Sequence, residues 1–291
     1  NTLKLLEDKY PNLYHTFIPD SARYISHKKL GITMGIKASR HEWLVFTEPN
    51  CRPQSNQWLK QMARNFTPAT EIVLGYSNYE KVPGWLNKKI TFDTLLNSMR
   101  YLGMALSGHP YMGTGRNLAY RKTLYYKQKG FASHLNLQRG EDDLFINETA
   151  HAHNTRVETG SDSLMRIAMP KYKKIWCEEK ISYAATSRLF KGTARYIMGF
   201  ETCSRLLFYV AIIATIVISI LLHQWTTLGI AILLWAARFV MQLIVFRKTA
   251  KTLGERKFCA LLPVFDFLQP IWNGVFKLQR KLRRKNEFMR K

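Results

Sequence analysis

The chain has 291 residues, with 44 Lys and Arg against 20 Asp and Glu, a net charge of +24, and 46% hydrophobic residues. That composition excludes global disorder, and the length allows roughly one to two domains. Cys51, Cys177, Cys203 and Cys259 are scattered without a CxxC spacing, which points away from a zinc site or a disulfide framework and fits a reducing compartment. The chain opens on Asn1 with no basic-then-apolar leader, so it reads as a fragment of something longer.

In chain order, residues 1–170 alternate short apolar runs with amphipathic stretches, the pattern of an α/β domain with a mostly parallel sheet. Ser26 to Ser39 reads as a helix. Trp43 to Thr47 (WLVFT) reads as a buried strand ending in the turn Glu48-Pro49-Asn50-Cys51-Arg52-Pro53. A helix follows, with Trp58, Leu59, Met62 and Phe66 at i, i+3, i+4 spacing and Ser55 or Asn56 as its cap. Ile72 to Tyr76 is the next strand, Asp142 to Ala152 a helix introduced by Gly140, and Arg156 to Thr159 a short edge strand.

Three groups in this part carry candidate chemistry. Glu48 and Asn50 follow a strand end, where open α/β sheets bind ligands, and two hard oxygens there suit Mg²⁺ or Mn²⁺ on a diphosphate. The same residues also read as a solvated proline turn. Gly113, Thr114, Gly115, Arg116 and Asn117 combine close backbone approach with a phosphate-pairing guanidinium, or form a plain glycine turn. Glu141, Asp142 and Asp143 stand at a helix start; they cap it, and neighbouring carboxylates raise one another's pKa so that one can act as general base.

The charge is unequally spread: residues 1–170 hold 22 Lys and Arg against 14 Asp and Glu, and residues 171–291 hold 22 against 6. Leu206 to Leu222 has no charge and Thr226 to Phe246 only Arg238, so both are long enough to cross a bilayer as a hairpin turning at His223 to Trp225. Lys and Arg crowd both flanks and none lies in the turn, which places both flanks in the cytoplasm. The alternative is a pair of buried helices in a helical lobe, supported mainly by Arg238, which in a membrane must face the partner helix, a lipid phosphate or water. Phe258 to Trp272, with Pro263, Asp266 and Pro270, reads as an interfacial or re-entrant segment, and the tail with Arg280, Lys281, Arg283, Arg284 and Lys285 suits anionic headgroups. A nucleic-acid binder is the remaining class for so basic a chain, but no RNP or helix-turn-helix pattern supports it.

The motifs HKKLGITMGIKAS, WLVFTEPNCRPQSNQWL, EIVLGY, GTGRNLAYRK and GEDDLFIN, followed by basic residues and an apolar hairpin, resemble a family 2 glycosyltransferase of the bacterial membrane-anchored type. The resemblance implies a GT-A fold, a Rossmann-like α/β domain, with the catalytic part over residues 1–200, the hairpin over 201–250 and an interfacial segment and basic tail over 251–291. It implies inverting transfer of a sugar from a nucleotide-diphosphate donor to a glycan or lipid-linked acceptor hydroxyl, in cell-surface glycan or glycolipid synthesis at the bacterial inner membrane. Glu48 and Asn50 take the two acidic positions of the metal-binding DxD motif, Glu141 and Asp142 match the pair whose aspartate is the base, with Asp143 beside it, and Gly113 to Asn117 matches the loop lining the donor and acceptor pocket. Ser182 stands where processive members carry the arginine of QxxRW, so a processive polymerase is not expected. Thr2 to Pro19 enters after the strands that hold the nucleotide in that family. Glu48 and Asn50 both depart from aspartate, which leaves a catalytically weakened homologue, a membrane-bound binding or scaffold subunit, as the alternative.

Overall fold

A computed structural model describes residues 2–18 and 26–283; Asn1, Pro19, Arg284 and Lys285, named above, lie outside the described residues. Its helices are α1 (Thr2–Lys9), α2 (His27–Ala38), α3 (Trp58–Ala63), α4 (Trp85–Leu106), α5 (Lys122–Lys127), α6 (Asp143–Thr149), α7 (Lys173–Thr186), α8 (Ala194–Leu221), α9 (Trp225–Thr252) and α10 (Leu262–Leu282). Its strands are β1 (Trp43–Phe46), β2 (Cys51–Pro53), β3 (Ile72–Gly75), β4 (Ser77–Tyr79), β5 (Leu118–Arg121), β6 (Thr155–Glu158) and β7 (Met165–Ile167).

The α/β class stands, but the pairing is mixed and not mostly parallel. One sheet has the order β1-β5-β3-β6 and the other β2-β7-β4. Strand β5 lies antiparallel to both β1 and β3, β2 is antiparallel to β7, and only β3–β6 and β4–β7 run parallel. Buried strands of three or four residues show apolar character but carry no mark of direction, which is why periodicity could not give this. The expected edge strand is β6, and it does close one side of its sheet.

Local chemistry sets the element starts. The Ser26 hydroxyl accepts the Lys29 amide at 3.2 Å and caps α2. Helix α3 begins one residue past the expected caps: Ser55 Oγ accepts the Gln57 amide at 3.1 Å, and Gln57 stands at the N-cap without a side-chain bond. Helix α6 is shorter than expected, and Asp142 is its N-cap, accepting from the Asp143 amide. Strands β3 and β4 follow one another across Tyr76, one in each sheet; a Cβ on Gly75 would lie 2.4 Å from the Asn117 side chain, so only glycine fits.

The sheet, α4 and the basic helical region share one core. Ile72, Leu74, Leu118, Phe145 and Ile146 belong to the same buried cluster as Phe246, Phe258, Leu262 and Phe265. Phe92 of α4 joins them, its ring 5.4 Å from Phe246, 5.4 Å from Phe258 and 5.1 Å from Phe265. Helices α8 and α9 have 28 residues each, about 42 Å at 1.5 Å per residue, and both are long and apolar enough to cross a membrane. Helix α8 starts at Ala194, inside the segment expected to be catalytic, and the turn between the helices is Leu222 to Gln224.

Asp266 of α10 ties these helices together. It accepts from Arg205 of α8 at 3.0 Å, Tyr209 at 2.7 Å, Gln242 of α9 at 2.9 Å and Arg238 at 3.3 Å. Arg238 thus faces the partner helices, and its guanidinium lies 4.5 Å from the centre of the Phe208 ring. Phe258 to Trp272, expected as an interfacial or re-entrant piece, contributes the first half of the continuous helix α10, with Pro263 in its first turn and Pro270 inside it. Replacing Asp266 by Ala leaves buried Arg205 without its main counter-charge, so Asp266→Ala is expected to cost about 3–5 kcal/mol. Thermal unfolding of the detergent-solubilised protein checks this, with Asp266→Asn falling between the two.

Candidate active site

Glu48, Arg116, Glu141 and Asp142 come from three separated stretches and meet in one polar cluster. Glu48 sits in the turn between β1 and β2, its carbonyl accepting the Cys51 amide at 2.9 Å. Arg116 lies in the loop leading into β5 and is only 7% exposed. Its Nε donates to Glu48 Oε2 at 2.9 Å, and its Nη2 to Glu179 Oε1 of α7 at 2.5 Å. Gly140, at φ +111°, makes the turn that carries Glu141 and Asp142 to the head of α6.

Lys28, in the first turn of α2, closes the cluster. Its Nζ is 2.8 Å from Glu48 Oε1 and 2.8 Å from Glu141 Oε1, so one ammonium bridges the strand-end carboxylate and the carboxylate before α6. Burial works against that charge, but Glu141, Asp142 and Glu48 outweigh it and keep Lys28 protonated. Burial likewise raises Glu48, yet Arg116 and Lys28 prevail and hold its carboxyl down to about 2. Glu48 and its partners therefore stay ionised throughout the physiological range.

Asp142 is 6% exposed and firmly oriented. Its Oδ2 accepts the Gly115 amide at 2.9 Å and the Tyr183 hydroxyl of α7 at 3.3 Å, while Oδ1 accepts the Asp143 amide at 2.8 Å. Asp143, 1% exposed, accepts the Leu144 amide on one oxygen and the Thr186 hydroxyl on the other. Burial first, then the neighbouring Asp142, push the Asp143 carboxyl up to about 8.

Within the loop Gly113 to Asn117, Arg116 alone turns its side chain to the cluster, while its neighbours pack or orient it. Gly113 is a packing residue: a Cβ there would lie 3.1 Å from both Ile146 and Leu74. Gly115 spends its amide on Asp142. Asn117 is buried in the core, donating to the Tyr76 and Ser163 carbonyls at 2.9 Å each and accepting from Trp58 Nε1 at 3.0 Å, which leaves it no free amide for a donor. Asn50 is exposed in the same turn as Glu48, its carbonyl accepting the Ala168 amide at 2.7 Å.

Lys28, Glu179 and Tyr183 were not foreseen as site residues. Their signals were present: Lys28 opens a capped helix just before the strand, and Glu179 and Tyr183 stand four apart on one face of α7. Among the described residues no group of three or more His, Cys, Asp or Glu side chains is placed to hold a metal. The cluster nevertheless fits a cation in its chemistry. Two carboxylates already share one positive charge, and Glu141 Oε2 is buried with no hydrogen-bond partner; Mg²⁺-type sites often use only one or two carboxylates, with substrate phosphates completing the shell.

No protein-family model matches the chain, and no curated protein matches it either. Among solved structures, the chain is similar to a mannosyltransferase from Pyrobaculum calidifontis determined in complex with GDP-mannose and Mn²⁺. The likeness has a TM-score of 0.52 at 15% sequence identity, and it covers 96% of this chain and 74% of that one. At that identity the shared property is the fold: the chain has the fold of a glycosyltransferase, an α/β part followed by two long apolar helices.

Proposed function

We propose that the chain is a membrane-anchored inverting glycosyltransferase of the GT-A type, akin to family 2, which moves a sugar from a nucleoside-diphosphate donor to an acceptor hydroxyl. The observation that carries this reading is the meeting of Glu48, Arg116, Glu141 and Asp142 in one buried polar cluster, on a fold shared with a protein that binds GDP-mannose and Mn²⁺. In the proposed reaction the acceptor oxygen attacks the anomeric carbon opposite the diphosphate. The new C–O bond forms as the bond to the diphosphate breaks, the diphosphate leaves with the electron pair, and the acceptor proton passes to Asp142.

The chain's own groups have distinct duties in that step. The Gly115 amide and the Tyr183 hydroxyl hold the receiving oxygen of Asp142 in place. Lys28 and Arg116 are the fixed cations of the cluster and oppose the negative charge that grows on the leaving group. Glu48 and Glu141, with Asn50 in the turn beside Glu48, are the residues that would hold a divalent cation, which when bound neutralises diphosphate charge.

The hairpin of α8 and α9 is the anchor. Outward-facing Val210, Ile213, Val217, Ile230, Leu233 and Met241 suit lipid, and Lys and Arg on both flanks support a catalytic part on the cytoplasmic side, as at a bacterial inner membrane. A role in cell-surface glycan or glycolipid synthesis follows from that location. One feature favours the weakened homologue as the second reading: Lys28 occupies the position between Glu48 and Glu141 where a cation would act. Donor binding without transfer is its signature.

Three outcomes are expected from nucleotide-release assays on a panel of UDP- and GDP-sugars. Asp142→Asn lowers kcat by about 10²- to 10⁴-fold, and unchanged turnover in that variant sinks the assignment. Because the Asp143 carboxyl is pushed up to about 8 by burial and Asp142, raising the pH through that value ionises it and makes the pair more basic. The rate therefore rises from pH 7 to 9 and the rise flattens in Asp143→Asn. With EDTA the rate falls and Mn²⁺ restores it, and Glu48→Gln raises the Mn²⁺ needed by roughly tenfold; indifference to EDTA would remove the cation from the reaction.

A further inference from the structure

Lys28 joins two carboxylates of the cluster from the solvent side. Its side chain is 41% exposed, whereas those of Glu48 and Glu141 are 17% and 3% exposed. The two acids therefore lie deeper than the ammonium that bridges them. Arg116 is placed in the opposite way: its side chain is 9% exposed and divided between Glu48 and Glu179. One cation of the cluster is locked inside the protein, and the other closes it from outside.

Helix α2 does not depend on Lys28 for its place. The Ser26 hydroxyl donates to the Gln138 carbonyl at 2.7 Å, and the buried Lys29 ammonium donates to the His134 and Leu137 carbonyls. Its neighbours in sequence thus fasten the helix to the stretch before α6, and the flexible four-carbon stem of Lys28 can swing while the backbone stays. The pairing is also incomplete. The ammonium reaches one oxygen of Glu141, and the other, Oε2, is buried with no hydrogen-bond partner. A buried charged oxygen left unpaired costs free energy, and an ion of higher charge that brings its own waters satisfies more oxygens at once.

We propose that Lys28 is a built-in competitor of the divalent cation: its ammonium keeps the place between Glu48 and Glu141 until a cation arrives together with a nucleoside diphosphate. A charge on a tether competes with free ions at a high effective concentration, so the metal alone is held off. A diphosphate shifts the balance in two ways, since it adds oxygen ligands for the metal and offers an anionic partner to the released ammonium. Lys28 keeps its charge in the cluster while it gives up the place. It is a positioning residue, and it makes cation binding conditional on the donor. The link to the donor rests on the transferase reading above; the competition between Lys28 and the cation does not.

The test is Mn²⁺ binding to the full chain in detergent without nucleotide, read from the electron paramagnetic resonance signal of free Mn²⁺. The wild-type chain should bind weakly and Lys28→Met about tenfold more tightly, because no tethered charge has to leave first. Lys28→Arg, which keeps the charge, should stay as weak as the wild type. In the double variant Lys28→Met, Glu48→Gln the gain should vanish. Loss of a merely structural contact does not produce tighter metal binding, so the readout separates competition from damage to the fold; Lys28→Gln takes the place of Lys28→Met if the latter does not fold. The proposal is overturned if the uncharged variant binds Mn²⁺ no more tightly than the wild type, if Lys28→Arg binds more tightly than the wild type, or if the gain survives Glu48→Gln. UDP and GDP, added to the same samples, address the donor: one of them should tighten Mn²⁺ binding in the wild-type chain by about tenfold and in Lys28→Met by less. If neither nucleotide binds, the transferase reading fails while the result on Lys28→Met stands. If one binds but tightens Mn²⁺ equally in both chains, the conditional role of Lys28 is overturned and the transferase reading is untouched.

Discussion

Arg116 is the contact on which the site depends. A guanidinium with 7% exposure has lost most of its hydration, a loss that only close counter-charges offset. It finds them in Glu48, from the β1–β2 turn, and Glu179, from α7. These elements lie more than a hundred residues apart, so one buried cation fixes the distance between the sheet and the helix facing it. Lys28 repeats the device between Glu48 and Glu141. The carboxylates are thus placed by cations before any ligand arrives, which is preorganisation in the sense that matters for a developing charge.

Helix α7 must itself be held for this to work, and a run of polar contacts leads from it into the apolar helices. Lys180 pairs with Asp93 of α4, Asp93 accepts from Gln269 of α10 at 3.3 Å, and Gln269 accepts from Arg205 of α8 at 2.8 Å, beside Asp266. Trp176 of α7 packs edge-on against Phe276 of α10 at 5.4 Å. The long apolar helices are therefore part of the scaffold that positions Glu179 and Tyr183, not a tether hung from a finished domain. A buried pair of this kind adds little net stability, but removing one partner is expensive, so the chain constrains geometry more than it strengthens the fold.

Much of this was legible in the sequence, and what was missed has a common cause. The capped helix at Ser26, the strand Trp43 to Phe46, the two apolar helices and the grouping of Glu141 with Asp142 all follow from local rules: a cap, a run of apolar residues, a length, a glycine before a helix. Strand direction was not local. Neither was the use of Asn117, whose amide looks available beside Arg116 in the sequence but is consumed by the Tyr76 and Ser163 carbonyls once it packs against Gly75. Lys28 and Glu179 went unnoticed because a Lys or Glu on an amphipathic helix reads as a solvated face until the partner element is known.

The two neighbouring aspartates show how one residue step can divide a site. Side chains at successive positions of a helix start point about 100° apart, so Asp142 reaches back to the Gly115 loop while Asp143 meets Thr186 at the end of α7. The first thereby belongs to the cluster of Lys28, Glu48 and Arg116, and the second to the wall of a cavity between α4, α7, α8 and α10. Burial, and after it repulsion from Asp142, raises the Asp143 carboxyl.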